Sequence, residues 1–545
     1  MQQLWAHLIS PNLAEDSGGA QWLADKSYRQ WLTVIALCLL TGTVLTWSLQ
    51  FCNTHDADSV ILSIMAQQKL TLFYWGQNRY MNLIPLVTAW ISDISINQQV
   101  QVWLRASTAA AFPLFVIVLL QPKASLLLCF AASLTALLTI FQIDLIRILW
   151  TDGQPYGLSL VLMTGAMLVT SRLGGRRIAR PLACVILASG LVVLAMLVNA
   201  SLIIVAAPLF GLLILFAPSI QNVLLFAMSL GGYMVSKKLS NWIGGREYDN
   251  IIFDPANLSM AWNRIMAGID GTALGLLAFL FVSGLIVMQM RHRAARSDGD
   301  PVIAPIAVRS IALSVACLIY MLLVPNIEWV ILNLSHVRYY GLILVLGICL
   351  FAVVIVETLV NGERRIGMAL APLALLMAVL VLFRTSWPIA FPPSEQCSFI
   401  AMEPGSDTQS SGSFAQIALD RDIHLILGSY RMVWPAIYEA IRLSGRDDIY
   451  GMTMRAEEMR PQILSLLDSN PDEHLLCIDK DIQVCLQGLT FSLGSGEYHG
   501  KPLSEAIEVV EEGTTPAGQY YRIIDLKEGG PAPDAEMSEG SGKAR

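Results

Sequence analysis

Long apolar stretches, separated by short charged connectors, recur along the chain from Trp31 to Phe383. Hydrophobic residues make up 55% of the 545 residues and charged residues only 14%, which excludes a soluble globular protein. Because one transmembrane helix needs about 20 apolar residues, the number of stretches also excludes a single-span anchor. The sequence predicts a polytopic α-helical membrane protein with about eleven transmembrane helices, within residues 31–390. The predicted spans are 31–51, 103–121, 124–142, 155–171, 181–198, 200–217, 222–236, 272–290, 303–324, 340–359 and 367–384.

Arginine-rich connectors indicate which side of the membrane each loop faces. They span 171–181, 291–300 and 361–367. If the N-terminal segment 1–30 is cytoplasmic, all three connectors are cytoplasmic too, as the positive-inside rule requires. An odd number of spans then places the C-terminal region outside. On this topology three long loops share that outer face: 52–102, 237–271 and 325–339.

The C-terminal region differs from the rest in charge and in pattern. Residues 395–528 carry 22 acidic and 10 basic side chains, whereas residues 1–394 carry 17 and 23. Short strand-like segments alternate with helical segments, which predicts an outer α/β domain. The strand-like segments are IHLIL (423–427), DIYGMTM (448–454), HLLCID (474–479) and YYRIIDL (520–526). The tail 529–545 is small, polar and rich in glycine and proline, which predicts disorder.

Three cysteines fall in this acidic region, and two of them are close in sequence. Cys477 and Cys485 can form a local disulfide if the domain faces an oxidising compartment. The region has no catalytic motif of its own, and we interpret it as a cover over the path of an acceptor.

Two carboxylates follow the first predicted span in the segment FCNTHDADS. Asp56 and Asp58 stand beside His55 at the membrane boundary, and clustered carboxylates often mark reactive sites. A second interpretation is open for Asp58, since an Asp before Ser59 can cap the helix that begins there.

Four features together resemble the GT-C superfamily of polytopic glycosyltransferases. They are the acidic motif HDADS, the loop continuation LFYWGQNRYMNLIPL (72–86), the long outer loop between the seventh and eighth spans, and an outer C-terminal domain containing GSYRMVWPAIYEA (428–440). Members such as protein mannosyltransferases and lipid A aminoarabinose transferases use sugars linked to polyprenyl phosphate. The resemblance implies an inverting transfer in which Asp56 or Asp58 deprotonates an acceptor hydroxyl.

Such a transfer needs a base near the acceptor proton and cations near the departing lipid phosphate. The alternative for the basic residues is that they extend to lipid head groups, and Asp152 can simply begin a turn. No His/Asp/Glu set has obvious metal-ligand spacing, so no dedicated metal site is predicted; a divalent ion bridging phosphate and carboxylate stays an alternative. The predicted substrate-binding residues are His55, Arg79, Tyr80, Asp152, Lys237, Lys238, Arg246, His336, Arg338 and Tyr339.

The predicted function is therefore sugar transfer from a polyprenyl-phosphate donor to a lipid-linked or cell-envelope glycan, with no nucleic-acid partner. The predicted location is a bacterial inner membrane, with the active site and the C-terminal domain facing the periplasm. Two alternatives remain. A lipid-linked glycan polymerase or ligase would share the cationic loops. A glycolipid transporter or flippase would place charges inside the spans, where only Arg309 and Glu357 are found.

Overall fold

A computed structural model describes residues 28–48, 57–120, 129–130, 133, 156–171, 181–243, 251–268, 303–332, 337–340, 342, 408–516 and 518–527. The α-helices are α1 (Tyr28–Ser48), α2 (Ala57–Gln67), α3 (Leu83–Thr88), α4 (Ile94–Leu120), α5 (Tyr156–Ser171), α6 (Pro181–Val198), α7 (Ile203–Phe216), α8 (Ile220–Ile243), α9 (Pro255–Gly268), α10 (Ile303–Leu323), α11 (Glu328–Leu332), α12 (Thr408–Asp420), α13 (Tyr430–Ser444), α14 (Arg460–Ser469), α15 (Ile482–Leu493) and α16 (Leu503–Ala506). The strands are β1 (Phe73–Tyr74), β2 (Gln77–Met81), β3 (Leu425–Leu427), β4 (Tyr450–Met452), β5 (Leu475–Cys477), β6 (Glu497–Tyr498), β7 (Lys501–Pro502), β8 (Ile507–Thr514) and β9 (Tyr520–Leu526). Short 3₁₀ helices lie at Ala200–Leu202, Val324–Asn326, Val337–Tyr340 and Ala456–Met459.

The structure is mostly helical, at 71%, and it has a sheet in the C-terminal region, as the sequence predicts at this level. The eleven predicted transmembrane helices are not supported. Two described helices are long and apolar enough to cross a membrane, Ile94–Val118 and Pro181–Val198. Several other apolar helices have only 10–17 residues, fewer than the ~20 that a span needs. Several predictions lie outside the described residues: the spans 272–290 and 367–384, most of 124–142 and 340–359, most of the segment 1–30, and the tail 529–545.

Seven of the predicted spans nevertheless coincide with helices of the structure. Their apolar residues are continuous over whole turns, so helix is the state that satisfies every backbone hydrogen bond within the segment. The helices concerned are α1, α4, α5, α6, α7, α8 and α10.

The chain divides into two compact units, and the division does not follow the order of the sequence. The first unit comprises Met1–Thr54, Leu72–Thr88 and Asn97–Cys397. The second comprises His55–Thr71, Ala89–Ile96 and Ser398–Arg545. Two pieces of the predicted first outer loop therefore belong to the same compact unit as the C-terminal α/β domain.

The first unit is a set of packed apolar helices with small additions. Helix α6 packs against α5 and α8, and α7 packs against α8 and α10. Gly157 lets α5 approach α4 closely, because a Cβ there would lie 3.1 Å from the Cα of Ala109. The two predicted outer loops 237–271 and 325–339 meet, since the Ile252 amide donates to the Asn326 carbonyl at 2.7 Å. This hydrogen bond brings the two loops together.

The second unit contains a five-stranded sheet in the order β4-β3-β5-β9-β8. Strands β4, β3 and β5 are parallel, whereas β9 is antiparallel to β5 and to β8. Helix α13 connects β3 to β4, and α14 precedes β5. The predicted strands at 423–427, 474–479 and 520–526 are confirmed as β3, β5 and β9, because each is a short apolar run bounded by turn residues.

Cys477 at the end of β5 and Cys485 on α15 form a disulfide. The sequence left this pairing open. In the structure the pairing forms because Cys485 on α15 lies next to Cys477 at the end of β5. The bond closes a loop of eight residues.

We expect the double variant Cys477→Ala/Cys485→Ala to lose about 2 to 3 kcal/mol of unfolding free energy, since the crosslink restricts the unfolded chain. Thermal unfolding in detergent, with and without a thiol reductant, measures this. Reductant should destabilise the wild type and leave the double variant unchanged. Equal sensitivity of the two proteins would contradict the disulfide.

Candidate functional site

Helix α2 carries the predicted catalytic residue Asp58 and lies within the second unit. The helix begins at Ala57, so Asp58 lies in its first turn and not at the position before it, where a cap would lie. A helix buried on all sides belongs to a core, and α2 packs against α13. The buried residues are Ala57, Ser59, Val60, Ile61, Leu62, Ser63, Ile64 and Met65.

The carboxylate of Asp58 is held by two side chains of the α/β domain. The Tyr430 hydroxyl donates to Asp58 Oδ1 at 2.7 Å, and Arg455 Nη1 donates to the same oxygen at 2.9 Å. Arg455 Nη1 also donates to the Tyr430 hydroxyl at 2.7 Å, and its Cζ lies 4.6 Å from the centre of the Tyr430 ring. The side chains of Asp58 and Arg455 are only 18% and 16% exposed. The three groups form one partly buried cluster.

This cluster lies where the parallel strands of the sheet end. Tyr430 follows β3 through Gly428 and Ser429, and Arg455 follows β4. In open α/β sheets, ligands bind outside the carboxyl ends of the strands, where the connections diverge. Gly428 has φ +146° and Arg455 has φ +75°, and a non-glycine residue in the left-handed region stores backbone strain that is common at functional sites.

Further contacts fix the α2 segment to the α/β domain. Gln68 Nε2 donates to the Ile449 carbonyl at 2.6 Å, and Lys69 Nζ donates to the Glu458 carbonyl. Because these bonds reach the residue before β4 and the 3₁₀ helix Ala456–Met459, the segment is an integral part of the domain. The candidate base therefore cannot be positioned without the C-terminal region, which the sequence suggested was only a cover.

The side chains of seven other predicted site residues lie outside the described structure. The backbone of Arg79 lies on β2 and that of Arg338 on the 3₁₀ helix Val337–Tyr340, with side chains outside the described structure. Five more residues lie wholly outside the described residues: His55, Asp56, Asp152, Arg246 and His336.

Four predicted substrate-binding positions lie on two elements of the first unit that pack against each other. Strand β2, with Arg79 and Tyr80, packs against α6 and α8, and α8 carries Lys237 and Lys238. Tyr80 and Lys237 are half-buried, whereas Lys238 is exposed. The sequence could not indicate this proximity, because about 160 residues separate the two segments.

Tyr339 is buried, at 5% exposure, in the first unit. Its carbonyl accepts a hydrogen bond from the Tyr320 hydroxyl at 2.9 Å, which ties the 3₁₀ helix to α10. That helix also packs against α9. This contact gives Tyr339 a structural role beside its predicted role in binding.

The structure adds a buried polar stripe on α4 that the sequence analysis missed. Asn97, Gln98, Gln101 and Arg105 are 0%, 1%, 0% and 3% exposed. The predicted span began at residue 103, but the helix begins at Ile94, so these residues lie inside a candidate span. The available signal was the spacing: Asn97, Gln101 and Arg105 are four residues apart, and Gln98 precedes Gln101 by three, which places all four on one side of the helix.

A second charged cluster lies at the opposite, amino-terminal edge of the sheet. His424 Nδ1 contacts Glu473 Oε1 at 2.9 Å, and its Nε2 contacts the Arg446 guanidinium. Arg446 also donates to Asp448 Oδ1 at 2.9 Å and to Asp422 Oδ1 at 2.6 Å. Hydrogen bonds from Arg446 lower the pKa of Asp448 and of Asp422. All of these contacts are ion pairs or hydrogen bonds among residues at one edge of the sheet. We therefore interpret the cluster as one that stabilises the fold.

A carboxyl group whose pKa is lowered by folding stabilises the fold at pH values above its ordinary pKa. This stabilisation disappears as the pH falls through the lowered pKa. We therefore expect Arg446→Met to destabilise the second unit at pH 7 by at most about 1 kcal/mol, since the pairs are solvent-screened. The difference from wild type should shrink below about pH 4. Unfolding curves between pH 3 and pH 7 measure it, and Asp448→Asn should reproduce part of the effect. A difference independent of pH would contradict the assignment.

Among the described residues, no group of three or more His, Cys, Asp or Glu side chains is arranged to hold a metal ion. No protein-family model, curated protein or solved structure matches this chain. The family resemblance drawn from the sequence therefore stays a prediction.

The Asp58–Arg455 ion pair can be tested by a double-mutant cycle. Asp58→Asn and Arg455→Gln should each destabilise the protein by about 1 to 3 kcal/mol, because each leaves a partly buried charge without its partner. The double variant should lose less than the sum, with a coupling of about 1 kcal/mol.

A surface pair provides the control for this cycle. Arg522 donates to Glu512 at 2.9 Å, and Glu512 is 52% exposed, so Arg522→Gln and Glu512→Gln should show little coupling. Thermal unfolding of all six variants gives both coupling energies. Strictly additive losses at Asp58 and Arg455 would refute the pair.

Proposed function

We propose that this chain is a GT-C-type membrane glycosyltransferase. It transfers a sugar from a polyprenyl-phosphate donor to a lipid-linked or cell-envelope glycan on the outer face of a bacterial inner membrane. The observation that carries the proposal is the Asp58 cluster: a first-loop carboxylate, held at the carboxyl edge of a parallel sheet by a tyrosine and an arginine. The apolar helices of the first unit and the two candidate spans support a membrane location.

In the proposed reaction, the Asp58 carboxylate takes the proton of the acceptor hydroxyl. The hydroxyl oxygen attacks the anomeric carbon, the bond from that carbon to the phosphate oxygen breaks, and the lipid phosphate leaves with the electron pair. A carboxylate accepts the proton only in its ionised form. Arg455 and Tyr430 act here as positioning residues, because both grip the same oxygen of Asp58.

The leaving phosphate needs a cation other than Arg455. In an inverting displacement the base and the leaving group lie on opposite faces of the sugar. Arg455 is hydrogen-bonded to the proposed base, so it lies on the base's side. We propose that this cation is one of the predicted basic residues Arg79, Lys237, Lys238, Arg246, His336 and Arg338. The proposed substrate contacts are Tyr80, Tyr339, His55 and Asp152. Asp56 is the second proposed carboxylate.

The disulfide supports the proposed side of the membrane. Structural disulfides persist in oxidising compartments such as the periplasm. The Cys477–Cys485 bond lies in the same compact unit as Asp58, so one location serves both.

Asp58→Asn should lower the rate of sugar transfer by a factor of about 10² to 10⁴, because the amide keeps the shape of the side chain but cannot accept the proton. The assay combines purified protein with decaprenyl-phosphate-linked mannose, glucose or aminoarabinose and detects released decaprenyl phosphate in the presence of membrane glycans. Mass spectrometry of envelope glycans, from cells with wild type, Asp58→Asn or no copy, gives the product.

Tyr430→Phe is the matched control, since it removes one hydrogen bond to the same oxygen and leaves the charge of Asp58. It should retain most of the transfer activity. Near wild-type transfer by Asp58→Asn would overturn the assignment of the base. The transfer activities of Asp58→Asn and Tyr430→Phe could instead fall only in proportion to their thermal stabilities. In that case the cluster would be a structural ion pair and not a catalytic site.

One observation favours the transporter alternative. The buried Arg105 places a charge inside a candidate span, which is typical of transporters. Transport forms no new glycosidic bond, so the mass of the product separates the two functions.

A further inference from the structure

The segment that precedes helix α9 exposes three consecutive large apolar side chains. Ile251, Ile252 and Phe253 are 51%, 50% and 72% exposed, and Trp262 on α9 is 57% exposed. Single exposed apolar residues are common on protein surfaces, but a run of three is unfavourable in water and is kept where it has a function. The run therefore marks a surface that a partner covers.

Two buried asparagines hold this segment in place. The Ile252 amide donates to the Asn326 carbonyl at 2.7 Å, and Asn257 Nδ2 donates to the Ile252 carbonyl at 3.1 Å. The Asp254 amide donates to Asn326 Oδ1 at 3.1 Å. Asn257 and Asn326 are only 6% and 2% exposed. The fold thus fixes the exposure of the apolar side chains, and both backbone polar groups of Ile252 are bonded within the protein.

Helix α9 continues the apolar surface with a face that carries no charge. The buried residues Asn257 and Ala261 lie on one side of the helix. The exposed residues Pro255, Ser259 and Trp262 recur at intervals of four and three, so they share another side. An indole combines an apolar ring system with a polar N–H, which suits the boundary between lipid and water.

Helix α10 extends the same surface. Leu318 and Leu322 lie one turn apart on this helix and are 60% and 57% exposed. The Leu322 carbonyl accepts a hydrogen bond from Asn326 Nδ2 at 2.8 Å, and Asn326 in turn binds Ile252. The exposed leucines therefore lead along an apolar helix of 21 residues to the segment Ile251–Phe253.

A lipid bilayer fits this surface better than a protein partner does. Protein interfaces carry about one hydrogen bond per 100–200 Å² of buried area, so a protein partner would need polar groups from this surface. The side chains of Ile251, Ile252 and Phe253 offer none, and the backbone of Ile252 is already bonded. Lipid contact requires the reverse: non-helical backbone is tolerated there only when the protein itself satisfies its polar groups.

We propose that Ile251–Phe253 and α9 form an interfacial anchor, whose exposed apolar side chains insert into one leaflet of a lipid bilayer near the head groups. The partner is the bilayer and not another protein. The anchor holds the predicted outer loop 237–271 at the membrane surface, which is the level of the phosphate of a lipid-linked donor. This inference rests on the proposed membrane location and on no step of the sugar transfer.

Spin labels on introduced cysteines measure the depth of the anchor. The full-length variants Phe253→Cys, Leu318→Cys and Asp472→Cys are reconstituted into vesicles of phosphatidylethanolamine and phosphatidylglycerol, and the signal of wild type labelled in the same way is subtracted. Oxygen concentrates in the bilayer and a nickel chelate stays in water, so the ratio of their collision rates with the label reports depth. Asp472 is an exposed residue of the α/β domain and provides the water reference. The ratio at Phe253 should be several times that at Asp472 and lower than that at Leu318.

Tryptophan fluorescence tests the anchor without a label. Phosphatidylcholine brominated on its chains quenches tryptophans that contact lipid, so Trp262→Phe should lose part of the quenched fluorescence of wild type. Trp434→Phe is the matched control, because it removes a fully buried tryptophan of the α/β domain. It should leave the amount of quenched fluorescence unchanged. Equal quenched fluorescence in wild type and Trp262→Phe would contradict the anchor.

The outcomes separate the anchor from the proposed function. A ratio at Phe253 equal to that at Asp472 would place the segment in water and overturn the anchor, while a high ratio at Leu318 would leave the membrane location standing. A label at Phe253 that neither reagent reaches would mean that protein covers the segment, which also overturns the anchor. Low ratios at both Phe253 and Leu318 would overturn the membrane location as well. Transfer that does not depend on Asp58, together with a high ratio at Phe253, would overturn the proposed base and keep the anchor.

Discussion

The ion pair between Asp58 and Arg455 is the contact on which the organisation of the second unit depends. It joins residues 397 positions apart in the chain and makes a helix of the first predicted loop part of the C-terminal α/β domain. The pair is partly buried, so neither charge can be removed without leaving the other uncompensated. Because most residues of α2 are buried, the helix also depends on its packing against α13.

This arrangement gives the α/β domain a different role from that of a separate cover. The domain supplies Tyr430 and Arg455 from the ends of two parallel strands, where a small sheet commonly binds ligands. The opposite edge of the sheet contains the Arg446 cluster, whose ion pairs serve stability. One sheet thus separates a candidate reactive edge from a stabilising edge, and the direction of its parallel strands determines which edge is which.

Partial burial distinguishes the proposed base from the exposed candidate residues. The Asp58 side chain is only 18% exposed, and the side chains of Tyr430 and Arg455 orient it. In such surroundings a charge interacts more strongly with a reacting group than it would on the surface. Exposed cations such as Lys238 lack that advantage.

The sequence by itself determined the helical, apolar character of the chain, the acidic α/β domain and most of its central strands, because these follow from local hydrophobic periodicity. It also singled out Asp58 from its position after the first apolar stretch. It did not identify β8, whose Glu508, Glu511 and Glu512 disguise an edge strand that pairs with β9. Only the tertiary structure brought Arg455 to Asp58, extended α4 back to Ile94 and buried Arg105, since long-range packing decides which polar residues lose their water.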